Sequence, residues 1–215
     1  MLDEGYIKYR IHWSMMPAPD VAAARRMEVW RRPLFVAGLI GMYRDPAVGF
    51  GNISMRCGAP GEFLVTGTQT GHITHSNESH YSLVTHYDIA ANELSCSGPV
   101  QASSESLTHA ALYETDAAIN AVVHVHSRPL WDEYVNVLPT TRADIAYGTP
   151  QMAREFSRLY RESVFRTQGV AVMGGHAEGL LSIGTTLEQA ATRILALTPQ
   201  PLDRAHRPPA VREQK

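Results

Sequence analysis

His124 and His126 stand two apart in the β-branched run Ala121-Val122-Val123-His124-Val125-His126. In a strand, side chains at i and i+2 leave the same face. The two imidazoles then converge while Val123 and Val125 turn to the opposite side for packing. A converging pair of imidazoles is half of a metal site; the plainer alternative is two histidines hydrogen-bonded at a strand end. A third ligand has to come from elsewhere. His176 follows the apolar run 170–173 and lies between Gly174-Gly175 and Glu178-Gly179. Glycines on both sides permit a sharp turn or a close backbone approach, and an ordinary turn is the competing reading. Glu105 and His109 are i and i+4, one face of a helix, so His109 sits beside whatever Glu105 touches. His12 and His206 fall in the terminal arms. His72, His75, His80 and His86 lie in a polar stretch with no partner pattern.

These residues need elements to hold them. Asp20 is a suitable N-cap for a helix from Val21, and Pro33 is expected to interrupt that helix, with a second apolar stretch at 34–43. Val48-Gly49-Phe50-Gly51-Asn52 reads as a glycine-rich turn, 53–56 as a short strand, and 62–66 as another, closed by Gly67. Ser103-Ser104-Glu105 opens a helix with Leu107, Ala110 and Ala111 inward. Residues 119–126 form a β segment. Thr149-Pro150 starts a helix carrying Met152, Phe156, Leu159 and Tyr160. Residues 170–173 make a buried strand, and Thr185 with Glu188 forms a capping box for a last helix through Ala190 and Ile194. The order is α/β without regular βαβ alternation. Residues 1–19 read as an N-terminal arm, 20–198 as one domain and 199–215 as a polar tail. Tyr6, Ile7, Tyr9, Ile11 and Trp13 make the arm too apolar to hang free, so it should pack on its own or a neighbouring subunit.

A chain of 215 residues supports one substantial domain. Hydrophobic residues at 44% and charged residues at 19% are a globular balance. A net charge of −2 argues against a nucleic-acid surface, which needs an excess of cations. Apolar runs such as 34–40 are too short to span a bilayer, and no signal pattern opens the chain, so no membrane partner is expected. Cys57 and Cys96 make no disulfide framework; the cytoplasm is the expected compartment.

Taken in order, Gly51-Asn52-Ile53-Ser54, Thr66-Gly67-Thr68, Ser103-Ser104-Glu105 with His109, His124-Val125-His126, and Gly175-His176 with Glu178-Gly179 resemble the class II aldolase/adducin family. The resemblance spans roughly residues 34–197. It implies a single three-layer α/β/α domain with a mainly antiparallel central sheet, assembled as a homo-tetramer with active sites between subunits. It implies one divalent metal per chain, commonly zinc, on His124, His126 and His176. Three neutral imidazoles leave Zn²⁺ its full charge and an open position, which suits Lewis-acid work on a ketone and its neighbouring hydroxyl. Glu105 matches the family's acidic residue, a general base near the metal; its plainer role is a helix-start carboxylate. Gly51, Asn52, Thr66, Gly67, Ser103 and Ser104 match the phosphate-binding segments, where backbone N–H groups and small donors can hold a phosphate without lysine or arginine.

The resemblance therefore implies a lyase performing aldolase-type C–C cleavage on a phosphorylated sugar or related hydroxy-carbonyl compound. Dehydration, epimerisation and decarboxylation run on the same platform, and the adducin branch shows a non-catalytic scaffold. Two departures bear on the substrate. The interval from His126 to His176 is shorter than in the sugar-phosphate aldolases, and their proton-donating tyrosine has no evident counterpart. Tyr134, in the cluster Trp131-Asp132-Glu133-Tyr134, and Tyr147 lie in that interval, the latter reading as a packing residue. A cupin-type site wants a glutamate three or four residues after the second histidine, where Ser127-Arg128-Pro129-Leu130 stands instead.

Overall fold

Apolar spacing and capping chemistry account for most of the elements in the computed structural model, which describes residues 6–18 and 20–199. The proposed tail beyond residue 199 and His206 lie outside the described residues. Strand β1 (Arg10–Met15) comes first, inside the segment read as an arm. Helix α1 (Val21–Val36) begins where Asp20 accepts from the Ala23 N–H at 2.8 Å. It buries Ala23, Ala24, Met27, Arg31 and Leu34 along one stripe. Pro33 does not interrupt it. The carbonyl that loses its donor belongs to Val29, on an exposed face where water can serve it. Burying Met27 and Leu34, at about 1.5–3 kcal/mol each, outweighs the roughly 3 kcal/mol of an interior proline.

Strands β2 (Gly41–Arg44) and β3 (Ala47–Phe50) form a separate antiparallel hairpin. The expected turn at 48–52 is thus a strand end followed by a hinge: Gly51 sits at φ +75°, where an added Cβ would lie 2.9 Å from Ile40. Then follow β4 (Asn52–Arg56), β5 (Phe63–Thr66), β6 (Tyr81–Asp88) and β7 (Glu93–Gly98). Helix α2 (Ser106–Thr115) starts later than the serines suggested. The Ser103 carbonyl accepts from both the Tyr9 hydroxyl and the Ser106 N–H, which holds Ser103 and Ser104 in a turn ahead of the helix. Strand β8 (Ala121–His126) is buried throughout, and α3 (Arg128–Tyr134) follows it directly. Helix α4 (Pro150–Glu162) is capped by Thr149 as expected. After α5 (Phe165–Gln168) come β9 (Val170–Val172), β10 (Gly179–Gly184) and α6 (Leu187–Leu195). The cap of α6 is one residue later than expected: Thr186 accepts from the Gln189 N–H, and Gln189 reaches back to the Thr185 N–H.

Among the described residues the main sheet has eight strands in the order β1-β7-β6-β5-β4-β8-β10-β9. Only the β1–β7 pair is parallel; the other pairings are antiparallel. Successive residues of β8 join different apolar clusters. Val122 packs with Leu107, Met152, Phe156 and Leu181, whereas Val123 and Val125 pack with Met27, Leu34, Ala190 and Ile194. This α/β fold places His124 and His126 on the Val122 face, near the middle of the sheet.

Candidate metal centre

Strand β8 fixes His124 and His126 two residues apart on one face, and they are 1% and 2% exposed. His176 arrives on the turn between β9 and β10 and is also buried. That turn is closed by the Gly179 N–H donating to the His176 carbonyl at 2.9 Å. It lies flush against residues 140–145: a Cβ on Gly174 would stand 2.2 Å from the Thr141 oxygen, and one on Gly175 only 1.8 Å from that of Ile145. The Trp131 indole of α3 also donates to the Met173 carbonyl at 2.9 Å. The glycine pair is therefore required by backbone packing that delivers His176.

One ligand atom from each of the three histidines lies within 4.8 Å of the others. His124 Nδ1 faces the Leu180 carbonyl at 3.1 Å, so Nδ1 carries the proton and Nε2 a lone pair. His126 Nδ1 faces the Tyr43 hydroxyl at 3.0 Å, and that hydroxyl donates to Glu178 Oε2 at 2.6 Å. The tyrosine oxygen then accepts from His126 Nδ1–H, leaving the second Nε2 a lone pair as well. The two Nε2 atoms stand 3.0 Å apart. Two lone pairs facing at that distance repel unless a cation lies between them. Burial, and then the charge His176 would carry, hold His124 and His126 well below the ordinary histidine range. Both are neutral at pH 7, which is the ligand form. The residues fit a divalent metal.

Next to the triad, Asn52 of β4 is the register partner of His124. Asn52, Gly51, Gly67, Ser103, Ser104 and Glu105 line one small cleft, together with Gly49, Phe50 and residues 68–71. No lysine or arginine is among its lining residues. Asn52 Oδ1 is buried without a hydrogen-bond partner among the described residues. Thr66 is not at the cleft; its hydroxyl bonds the Ile53 backbone across the β4–β5 pair. Glu105, 2% exposed, accepts from the Thr108 hydroxyl at 2.9 Å. His109, on the same helix, contacts Ser54 Oγ at 2.7 Å and is pushed down to about 3 by burial.

Sequence reasoning missed two neighbours of the triad. The Phe50 ring stacks on His126 at 5.5 Å between centroids, and Tyr43 bonds the edge of the same ring. Tyr147 is the packing residue expected, buried in the Val122 cluster, and its ring also stacks on His176 at 4.3 Å, with Lys8 Nζ 3.6 Å from the ring centroid. Tyr134 packs instead with the Val123 cluster. The alternation in β2 and β3 is too short to have shown that this hairpin covers His126. The remaining described histidines, His12, His72, His75, His80 and His86, play no part in the cluster.

Residues 47–131 match the class II aldolase and adducin N-terminal domain family. The resemblance to the class II aldolase/adducin family is thereby confirmed over residues 47–131. The matched stretch carries two of the three histidines and all of the cleft. No curated protein sequence matches the chain. Among solved structures, the sugar-phosphate aldolase from Thermotoga maritima aligns with TM-score 0.63 at 15% identity, over 82% of this chain and 90% of that one. An L-fuculose 1-phosphate aldolase gives 0.61 at 16%, over 84% of each. YgbL from Escherichia coli, a candidate aldolase/epimerase/decarboxylase, gives 0.61 at 20%, over 82% and 84%. At such identities the likeness establishes the shared fold. Among the described residues, no helix is long and apolar enough to cross a membrane.

Proposed function

We propose that this protein is a divalent-metal-dependent lyase, with zinc on His124, His126 and His176, that breaks a C–C bond in a phosphorylated sugar or related hydroxy-carbonyl compound. The observation carrying this reading is the approach of the His124 and His126 Nε2 atoms to 3.0 Å with His176 alongside. When bound, the ion supplies Lewis acidity to a carbonyl and its neighbouring hydroxyl. The chain's own residues supply the rest. Asn52, Gly51, Gly67, Ser103 and Ser104 offer an anion its hydrogen bonds through backbone N–H groups and small side chains. Thr66 accepts from the N–H of Ile53, the residue after Asn52, and so steadies the strand that carries it. Glu105, buried at the head of α2, takes the substrate's hydroxyl proton and returns one to the carbon fragment left behind.

The same reading carries α/β/α layering, supported by apolar clusters holding alternate residues of β8. It also carries one metal per chain, a homo-tetramer, a domain over 20–198, and a cytoplasmic setting, which suits the free thiols of Cys57 and Cys96. Elemental analysis of purified wild-type protein, with His124→Ala and His126→Ala beside it, tests the metal. About one zinc per chain is expected, falling by orders of magnitude in affinity when a ligand is lost. Retention of metal by both variants at the wild-type level refutes the site. A zinc-loaded protein that cleaves no phosphorylated ketose moves the reaction to dehydration, epimerisation or decarboxylation.

A further inference from the structure

The hairpin of β2 and β3 belongs to neither end of the main sheet, yet it grips a metal-site histidine on two sides. Phe50 covers the face of His126, and the Tyr43 hydroxyl meets its Nδ1. Tyr43 is itself held by the Glu178 carboxylate at 2.6 Å. Glu178 occupies φ +72°, a left-handed conformation that a glutamate adopts at a cost and that glycine takes freely. The chain accepts that strain in the turn directly after His176 and obtains a carboxylate aimed at the tyrosine. Glu178 is tied to the end of β8 as well, since its carbonyl accepts at 2.9 Å from the N–H of Ser127, the residue that follows His126. His124, by contrast, rests its Nδ1–H on a backbone carbonyl.

We propose that Tyr43 and Glu178 are positioning residues for the metal ligand His126: the hydrogen-bond chain from Nδ1–H through the tyrosine oxygen to the carboxylate locks the ring's tautomer and makes Nε2 a stronger donor. This rests on the metal reading above. Groups behind a ligating histidine typically contribute 10–100-fold to metal affinity. Tyr43 has no direct contact with a metal to make, because its hydroxyl is engaged behind the ring.

The test titrates zinc calorimetrically into metal-stripped wild type, Tyr43→Phe, Glu178→Gln and Glu178→Gly, and records imidazole ¹⁵N shifts of the stripped proteins. Tyr43→Phe should weaken zinc by about 10–100-fold and let His126 sample both tautomers, whereas stripped wild type holds the Nδ1–H form. Glu178→Gln still accepts the tyrosine O–H and should lose less. Glu178→Gly relieves the left-handed backbone, so it should melt no lower than wild type while binding zinc more weakly, a combination that a merely structural role would not produce. This variant decides the matter if Tyr43→Phe folds poorly. Wild-type zinc binding with unchanged affinity in Tyr43→Phe and Glu178→Gly, and with His126 still one tautomer, overturns the relay and leaves the metal site standing. Wild type that binds no zinc overturns both.

Discussion

Glu105 is a buried carboxylate at the mouth of a helix, with the Thr108 hydroxyl on one oxygen. If it moves protons, Glu105→Gln should keep the fold and most of the metal while kcat falls by about 10²–10⁴-fold. Steady-state kinetics on the zinc-loaded protein check this, because a carboxylate serving only the helix start would leave turnover almost unchanged. The histidine pair was legible in the sequence for a geometric reason, whereas Glu105 stood out through the family resemblance. A strand forces i and i+2 together, so His124 and His126 had to converge wherever β8 went. Tyr43 was not legible. Nothing local in Gly41–Arg44 says that its hydroxyl meets a histidine more than eighty residues away. Glu178 has no local signal either, because its bond to Tyr43 depends on a backbone angle that only the folded turn reveals.

Among the elements, the turn carrying His176 has the least freedom. Gly175→Ala would force a Cβ into the Ile145 carbonyl. The backbone must move, at about 1–3 kcal/mol for overpacking of this kind. We expect a lower thermal midpoint by circular dichroism together with weaker zinc binding, since the displaced backbone carries a ligand. Unchanged stability and affinity would mean that the turn is softer than its packing implies. Helix positions were readable where a cap is local, as at Asp20 and Thr149. They slipped where a distant partner decided the start. Ser103 is held out of α2 by Tyr9, a residue 94 positions away. Arg31 is the extreme case: a fully buried guanidinium donates to the Thr70 and Ile73 carbonyls at 3.1 and 2.7 Å, tying α1 to the segment that walls the cleft. An arginine in an amphipathic stripe reads as surface until that loop is seen.

For the whole molecule, buried neutral histidines set the pH at which the fold weakens. His109 is pushed down to about 3 by burial, and His124 and His126 are shifted the same way. The unfolded chain takes up these protons near pH 6.5, whereas the folded chain resists them. Stability is therefore full above about pH 6.5 and is lost as pH falls toward 3, at about 1.4 kcal/mol per pH unit for each histidine involved. Urea unfolding of the metal-free protein at pH 7.5 and 5.0 should show the drop, and His109→Gln should shrink it by about 2 kcal/mol. An equal drop in both proteins would contradict His109's share. The α/β character was legible from chain order, but the meander of β6 and β7 was hidden because its outward residues, Thr85 and His86, break up the apolar pattern. That meander provides the edge on which β1 lies in parallel, from Arg10 against Glu93 to Met15 against Gly98. Tyr9, one residue before β1, holds the Ser103 carbonyl. The first strand is in this sense a tether on the cleft: a load that peels β1 from its edge draws the Tyr9 hydroxyl off the Ser103 carbonyl and leaves that turn to its own Ser106 bond, so the cleft wall should slacken while the rest of the sheet still holds.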